Sequence, residues 1–401
     1  MMSTLLGIAL ASSGMTQLRL NGVGPSELLI LSVIGLSVLK MTVTGRHKSG
    51  ALIPAYIFLM IQLVVFGSLA VAFATIADTV FTKWLRQITF ILMPMLLPIL
   101  YSLAFGYSSF VQALKVFSQW AILIYLIPYA MSFAGIMTLG GIDFYYGPRY
   151  LGWSQNPNQT ALVLGVAVPM LYYFMTKKMV SGLRYWVMIV LGIAMGLATK
   201  SDALLVCWIG IVGFVFLSDL IERRKAVKSD TALFIRAFKI FLTLAVFVAV
   251  LLWARNNAVE IYDGSGAGMG AGQGQVRVLL WMNAFSAFLD SPVIGHGHGH
   301  FSGLGGPYNG SEAHNFYFDW LAAYGIVGIV FFAYLILSIS VRLTMHRKFF
   351  VLALLFLILA LSLFHFYGRH PVFWTMIYFC GLFSYSLDLQ VPRNHADGRN
   401  R

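Results

Sequence analysis

Apolar runs of about 20 residues, the length that crosses a lipid bilayer as a helix, recur along this chain from one end to the other. In lipid every backbone N–H and C=O must find its partner within the protein, so a chain built of such runs folds as a helical bundle. Composition agrees: 59% of the 401 residues are hydrophobic and 10% are charged, against about 25% charged in a soluble domain. The expected fold is all-α, a polytopic helical membrane protein forming a single integral-membrane domain over residues 1–401. The opening MMSTLLGIALASSGM lacks a basic stretch ahead of its apolar run. It is therefore expected to be the first membrane segment rather than a cleaved leader. Cys207 and Cys380 lie far apart inside apolar runs, which argues against a disulfide framework or a thiolate metal site.

The runs place about twelve spans, at roughly 3–17, 24–42, 51–76, 87–105, 111–137, 159–176, 184–199, 202–220, 232–253, 315–340, 349–366 and 371–389. The net charge of +13 does not gather on one soluble face, so nucleic acid is not an expected partner. It sits in short clusters between the runs, as membrane topology requires. With the N-terminus inside, most basic residues face the cytoplasm, among them Lys177, Lys178, Arg184, the Arg223–Lys228 cluster, Arg342 and Lys348. Arg19, Lys83, Arg86, Arg149, Lys200, Arg255, Arg277 and Arg369 face out. This asymmetry puts both termini in the cytoplasm.

The orientation sends two informative connections, 138–158 and 254–314, to the non-cytoplasmic side. The second is longer than a simple connector needs to be. It begins with the glycine-rich DGSGAGMGAGQGQ and continues as VRVLLWMNAFSAFLDSP. The apolar spacing of that second part predicts an amphipathic helix lying along the membrane surface.

Polar chemistry gathers in these connections. Arg277 opens the predicted surface helix. Its planar guanidinium matches phosphate oxygens, although an interfacial arginine also snorkels to lipid headgroups. In SPVIGHGHGHF, glycines 295, 297 and 299 alternate with His296, His298 and His300. Alternating histidines suit a metal, yet no carboxylate or cysteine completes a site, and glycine also admits close backbone approach. No metal and no cofactor are expected. His314-Asn315 stands where the chain re-enters the membrane. Histidine can take a proton from an attacking hydroxyl near neutral pH, while Asn is equally a helix cap. In GPRYLGWSQNPNQ, Asn156-Pro157-Asn158 reads as a turn into a helix start. That reading leaves Arg149 unexplained. The spans carry no chain of carboxylates for proton relay and no repeated halves, which argues against a proton-coupled carrier or polysaccharide flippase.

Taken together these stretches resemble the O-antigen ligase and polymerase superfamily. The pieces come in order: Arg149, Gly152, Pro157 and Asn158; then Arg277 and Trp281; then Pro292, Gly295 and Gly297; then His314 and Asn315 with Gly325 and Gly328. The resemblance is densest over 145–330. It implies a metal-independent, integral-membrane glycosyltransferase of the bacterial inner membrane with a periplasmic active site. The donor would be an undecaprenyl-pyrophosphate-linked glycan. The acceptor hydroxyl would belong to lipid A core in a ligase, or to another lipid-linked glycan in a polymerase; the single long loop before His-Asn favours the ligase. On this resemblance His314 is the expected general base. Arg277, with Arg149 and Lys200, holds the pyrophosphate; Asn315, His298, His300 and Asn158 support them. One departure is ATKSDALL, where Ser201-Asp202 stands in place of the family's frequent Ser-Arg.

Overall fold

The computed structural model describes residues 1–20, 23–45, 54–73, 79–223, 273–297 and 312–385. The chain is mostly helical. Its helices are α1 (Met2–Ala11), α2 (Pro25–Thr44), α3 (Pro54–Phe73), α4 (Thr79–Phe105), α5 (Tyr107–Phe133), α6 (Pro157–Thr176), α7 (Leu183–Ala198), α8 (Asp202–Arg223), α9 (Gln273–Asp290), α10 (Phe316–Met345), α11 (Phe349–Leu361) and α12 (Pro371–Tyr385). Each predicted span overlaps a helix except 232–253, which falls outside the described residues; 3–17, 111–137 and 349–366 run past their helices, which end at Ala11, Phe133 and Leu361. Among the described residues five helical stretches are long and apolar enough to cross a membrane: Pro25–Thr44, Gln87–Phe105, Tyr107–Phe133, Pro157–Thr176 and Phe316–Met345. Others, such as Leu183–Ala198 and Phe349–Leu361, are apolar but shorter.

Local sequence explains the helix boundaries. Pro25 opens α2, and the Glu27 carboxylate reaches back to the Gly24 N–H at 3.0 Å, satisfying one of the orphan donors of the first turn. Asn156 caps α6 by accepting from the Asn158 N–H at 2.9 Å, with Pro157 as the first helical residue. Pro94, Pro98, Pro128 and Pro169 lie inside helices, as bilayer helices tolerate when neighbours satisfy the freed carbonyls. The bundle packs α1 on α5, α2 on α4, α3 on α10, α6 on α5 and α7, α8 on α11, and α12 on α4.

One expectation changes. The connection 138–158 holds two small antiparallel hairpins, β1 (Thr138–Leu139) with β2 (Ile142–Asp143) and β3 (Tyr145–Tyr146) with β4 (Arg149–Tyr150). The first turns through Gly140 and Gly141, both at positive φ, the backbone that a tight hairpin demands. The helix expected in VRVLLWMNAFSAFLDSP is present as α9. Leu280, Ala284 and Ala287 are buried, and α9 packs against α10, while Val278, Met282, Phe285 and Leu289 form an exposed apolar stripe.

The bundle has two chemically distinct ends. At one, Lys40 lies over Phe105, Arg342 over Tyr385, and the Lys348 ammonium donates to the Phe383 carbonyl. At the other the polar connections interlock: Gln17 donates to the Asp143 and Ser154 carbonyls, and Tyr367 donates to the Asn158 carbonyl.

Candidate active site

The return of the chain to the bundle is built from backbone. Gly325 sits at φ 60°, ψ −160° and breaks α10. Into the break fits the segment after α9. The Ile326 and Val327 N–H groups donate to the Pro292 and Val293 carbonyls, and the His296 and Gly297 N–H groups donate to the Ala322 and Ala323 carbonyls. A Cβ at Gly295 would stand 2.4 Å from the Ala323 carbonyl carbon, and one at Gly325 would stand 2.4 Å from the Val293 oxygen. The spaced glycines therefore serve an approach of two backbones to each other rather than to a ligand. His296, the first histidine of GHGHGH, donates through Nε2 to the Ala287 carbonyl at 2.7 Å. His298 and His300 lie outside the described residues. Among the described residues no three His, Cys, Asp or Glu side chains group as metal ligands do.

This clasp delivers His314. Ala313 is pinned twice: its N–H donates to the buried Asp319 carboxylate at 2.9 Å, and its carbonyl accepts from Trp281 Nε1 at 3.0 Å. Trp281 also stacks on Phe318, so the residue one turn after Arg277 fastens α9 beside His314. Asn315 caps α10, accepting from the Tyr317 and Phe318 N–H groups, while its Nδ2 donates to the Leu363 carbonyl at 2.9 Å. Between these anchors His314 adopts φ +52°, a left-handed backbone costly for a non-glycine residue. Asn315 is thus a structural cap and a tether to the 362–370 connection.

The His314 imidazole stacks on His365, centroids 5.5 Å apart and planes 11° apart. Burial lowers the His314 pKa from its usual 6.5; Glu312 opposes this, and Arg277 and Arg369 add to it. His365 is buried further and is pushed down to about 3, by burial first and then by His314 and the surrounding cations. Both rings are neutral near pH 7, so His314 is in the form that accepts a proton. Glu312 is ion-paired with Arg369, whose other nitrogen donates to Gln87 at 2.9 Å.

Arg149 sits on β4 and is held by two hydrogen bonds, Nε to the Thr199 carbonyl at 3.1 Å and Nη2 to Asn158 Oδ1 at 3.3 Å. Burial and the neighbouring Arg277 weigh against its proton, while Asp202 and Tyr146 favour it. The two guanidiniums therefore lie close enough to feel each other. Lys200 follows Thr199 at φ +49°, exposed, and its ammonium has no hydrogen bond or ion pair among the described residues. Asp202, where the family often has arginine, places a carboxylate near Arg149.

The structure thus brings Arg149, Asn158, Arg277, His314 and Asn315 to one end of the bundle, with Lys200 at its margin. Sequence reasoning missed His365, Arg369 and Glu312. The stretch HFYGRH between two apolar runs held the signal, for it places two histidines and an arginine in one short connector on the same side as His314.

Residues 186–333 match the family described as O-antigen ligase. No curated protein matches the chain. The matched segment carries Lys200, Arg277, Trp281, the glycine clasp and His314-Asn315, while Arg149 and Asn158 precede it and His365 and Arg369 follow it. That segment bears Arg277 and His314, and it is similar to the O-antigen ligase family.

Proposed function

We propose that this protein is a metal-independent membrane glycosyltransferase. It moves a glycan from undecaprenyl pyrophosphate to an acceptor sugar hydroxyl, as an O-antigen ligase acting on lipid A core. The observation that carries the reading is geometric: Arg149 is bonded to Thr199 and Asn158, and Trp281, one turn after Arg277, is bonded to the Ala313 carbonyl beside His314. A pyrophosphate is a stable leaving group and needs charge neutralisation more than a proton. Preorganised cations in a site partly shielded from water supply that. Arg277 and Arg149 hold the pyrophosphate, with exposed Lys200 as a third cation. Asp202 weakens the field at Arg149, so Arg277 carries the larger share.

In the transfer step the acceptor oxygen attacks the anomeric carbon as its proton passes to His314. The bond from that carbon to the phosphate oxygen breaks, and the pyrophosphate lipid leaves with the electron pair. Base assistance of this kind is worth about 10²–10⁴ in rate. Asn315, Asn158 and the histidines at 298 and 300 support the site. About twelve helices cross the bacterial inner membrane, with both termini cytoplasmic and the site periplasmic. The uneven distribution of basic residues between alternate connections of the sequence supports that arrangement.

A polymerase joining lipid-linked repeat units uses the same chemistry; the single long connection before His314 favours the ligase. The test is purified protein with lipid-linked glycan and either lipid A core or a second lipid-linked glycan as acceptor. Transfer to lipid A core supports the ligase, and transfer only to the lipid-linked acceptor makes it a polymerase. No transfer to either overturns the reading.

A further inference from the structure

The proposed base and the proposed pyrophosphate site are built on distant parts of the chain, His314 at the start of α10 and Arg149 on β4. One side chain reaches the surroundings of both. Tyr367 lies in the 362–370 connection, is 3% exposed, and donates its hydroxyl to the Asn158 carbonyl at 2.9 Å. The Asn158 side chain accepts from Arg149 Nη2 at 3.3 Å. On its other side the Tyr367 ring meets His365 edge-on, with centroids 5.0 Å apart, and His365 stacks on His314. The contacts run from Arg149 through Asn158, Tyr367 and His365 to His314.

The two halves of this chain of contacts are each anchored. The Ser362 carbonyl accepts from the Phe316 N–H and the Leu363 carbonyl from Asn315 Nδ2, while Arg369 is ion-paired with Glu312. The connection is thus tied to the His314 return at both its ends and moves with it. Asn158 is the second residue of α6, and its N–H is held by the Asn156 cap. Through Tyr367 the connection is tied to α6 as well, and so to Arg149.

The hydroxyl is suited to that task. Burial raises the Tyr367 pKa, Cys207 adds to this and Arg277 opposes it, so the group keeps its proton and remains a donor. Its structural weight is small. A carbonyl in the first turn of a helix also accepts from the N–H four residues on. Loss of the Tyr367 hydroxyl therefore leaves the Asn158 carbonyl with a partner.

We propose that Tyr367 is a positioning residue: by joining the His365–His314 stack to the Asn158–Arg149 pair, it sets the distance between the base and a cation that holds the pyrophosphate. The role rests on the glycosyl-transfer reading above. Transfer needs both groups at once, because the acceptor oxygen loses its proton as the pyrophosphate leaves. A displacement of about 1 Å between such groups can cost about 10²-fold in rate. Tyr367 itself touches neither substrate, so its loss should appear in kcat rather than in KM.

The test uses full-length protein in detergent and two variants that cut neighbouring links, Tyr367→Phe and Asn158→Ala. Tyr367→Phe keeps the ring against His365 and should lower kcat about tenfold, with both KM values within about twofold and the thermal midpoint unchanged. The double variant should be no slower than the slower single variant, since both cut one chain of contacts, whereas independent defects would multiply. A second readout needs no turnover. In protein isotopically labelled on histidine, inorganic pyrophosphate should displace the NMR ring signal that is lost in His314→Ala. Tyr367→Phe should shrink that displacement at saturation, with pyrophosphate affinity unchanged. Wild-type kcat in Tyr367→Phe, a failure of that variant to fold, multiplied losses in the double variant, or a displacement absent from wild type or undiminished in Tyr367→Phe overturns the proposal. A chain that shows the Tyr367-dependent displacement without transferring glycan refutes the enzyme reading alone. One that transfers glycan equally well as Tyr367→Phe refutes the positioning role alone.

Discussion

The imidazole of His365 lies parallel to that of His314, with ring centroids 5.5 Å apart. Each ring removes water from the other, and a second positive charge at that distance is unfavourable. A base flanked in this way stays unprotonated well into acid. Transfer requires neutral His314, whose folded pKa lies below 6.5. The rate should therefore be flat from about pH 6.5 to 8 and fall only as pH drops through that lowered value. His365→Ala admits water and should move the acid limb up towards 6.5. Initial rates between about pH 4.5 and 8 check this, and an unmoved limb in His365→Ala would separate the stack from the base's acidity.

Removing the base itself should leave a folded protein. His314→Ala relieves the left-handed strain only slightly and leaves the anchors at Ala313 and Asn315 in place, since both act through backbone groups or their own side chains. Transfer should fall by about 10²–10⁴ at unchanged thermal midpoint. Turnover equal to wild type would remove His314 from the chemistry.

The two arginines should respond differently to lysine. Arg277→Lys keeps the charge and loses the planar fork. One charge-assisted hydrogen bond lost in the transition state is worth roughly 1.5–3 kcal/mol, or about ten- to a hundredfold in rate. Its fold should be untouched. Arg149→Lys also forfeits the bonds to the Thr199 carbonyl and Asn158, so its thermal midpoint should fall along with its rate. If Arg277→Lys transfers at the wild-type rate, that residue is a lipid anchor.

Activity should survive exhaustive chelation, and elemental analysis of the purified protein should find no stoichiometric metal. The guanidiniums of Arg149 and Arg277 supply the charge that a divalent ion supplies elsewhere. Loss on chelation, restored by a single divalent ion, would reassign that role.

Gly325→Ala and Gly295→Ala should be among the most damaging single-methyl additions in the chain. Each forces a side chain onto positive φ and sets a Cβ 2.4 Å from backbone atoms of the facing segment. Neither segment can retreat without breaking the hydrogen bonds across the α10 break. A loss of about 3 kcal/mol or more is expected, read as a lowered unfolding midpoint in detergent. A midpoint equal to wild type would show that the clasp opens freely.

Much of the fold was legible because a bilayer leaves a chain few options. Apolar runs marked the helices, and Asn156-Pro157 and Asn315 marked two of their starts. The candidate site was legible where motif order carried it, at Arg149, Arg277 and His314. Periodicity could not show that the glycines at 295 and 325 face each other, because that approach joins segments 30 residues apart. Nor could it reveal His365 or Arg369, which lie in a short connector that reads only as a turn between spans. Arg369 had registered as a topology marker; its pairing with Glu312 exists only once α12 is packed on α10. The hairpins escaped notice because strands of two residues leave no alternation to detect.

The tether between Asn315 and Leu363, with the Phe316 N–H donating to the Ser362 carbonyl at 2.9 Å, bears on modularity. The family-matched segment ends at residue 333, yet the seat of His314 is completed by a connector some thirty residues further on. A chimera that imports residues 186–333 into a related scaffold would receive the histidine without its bearings. Residues 312–316 and 362–370 make up one inheritable unit, and exchanges between relatives should succeed only when the two travel together.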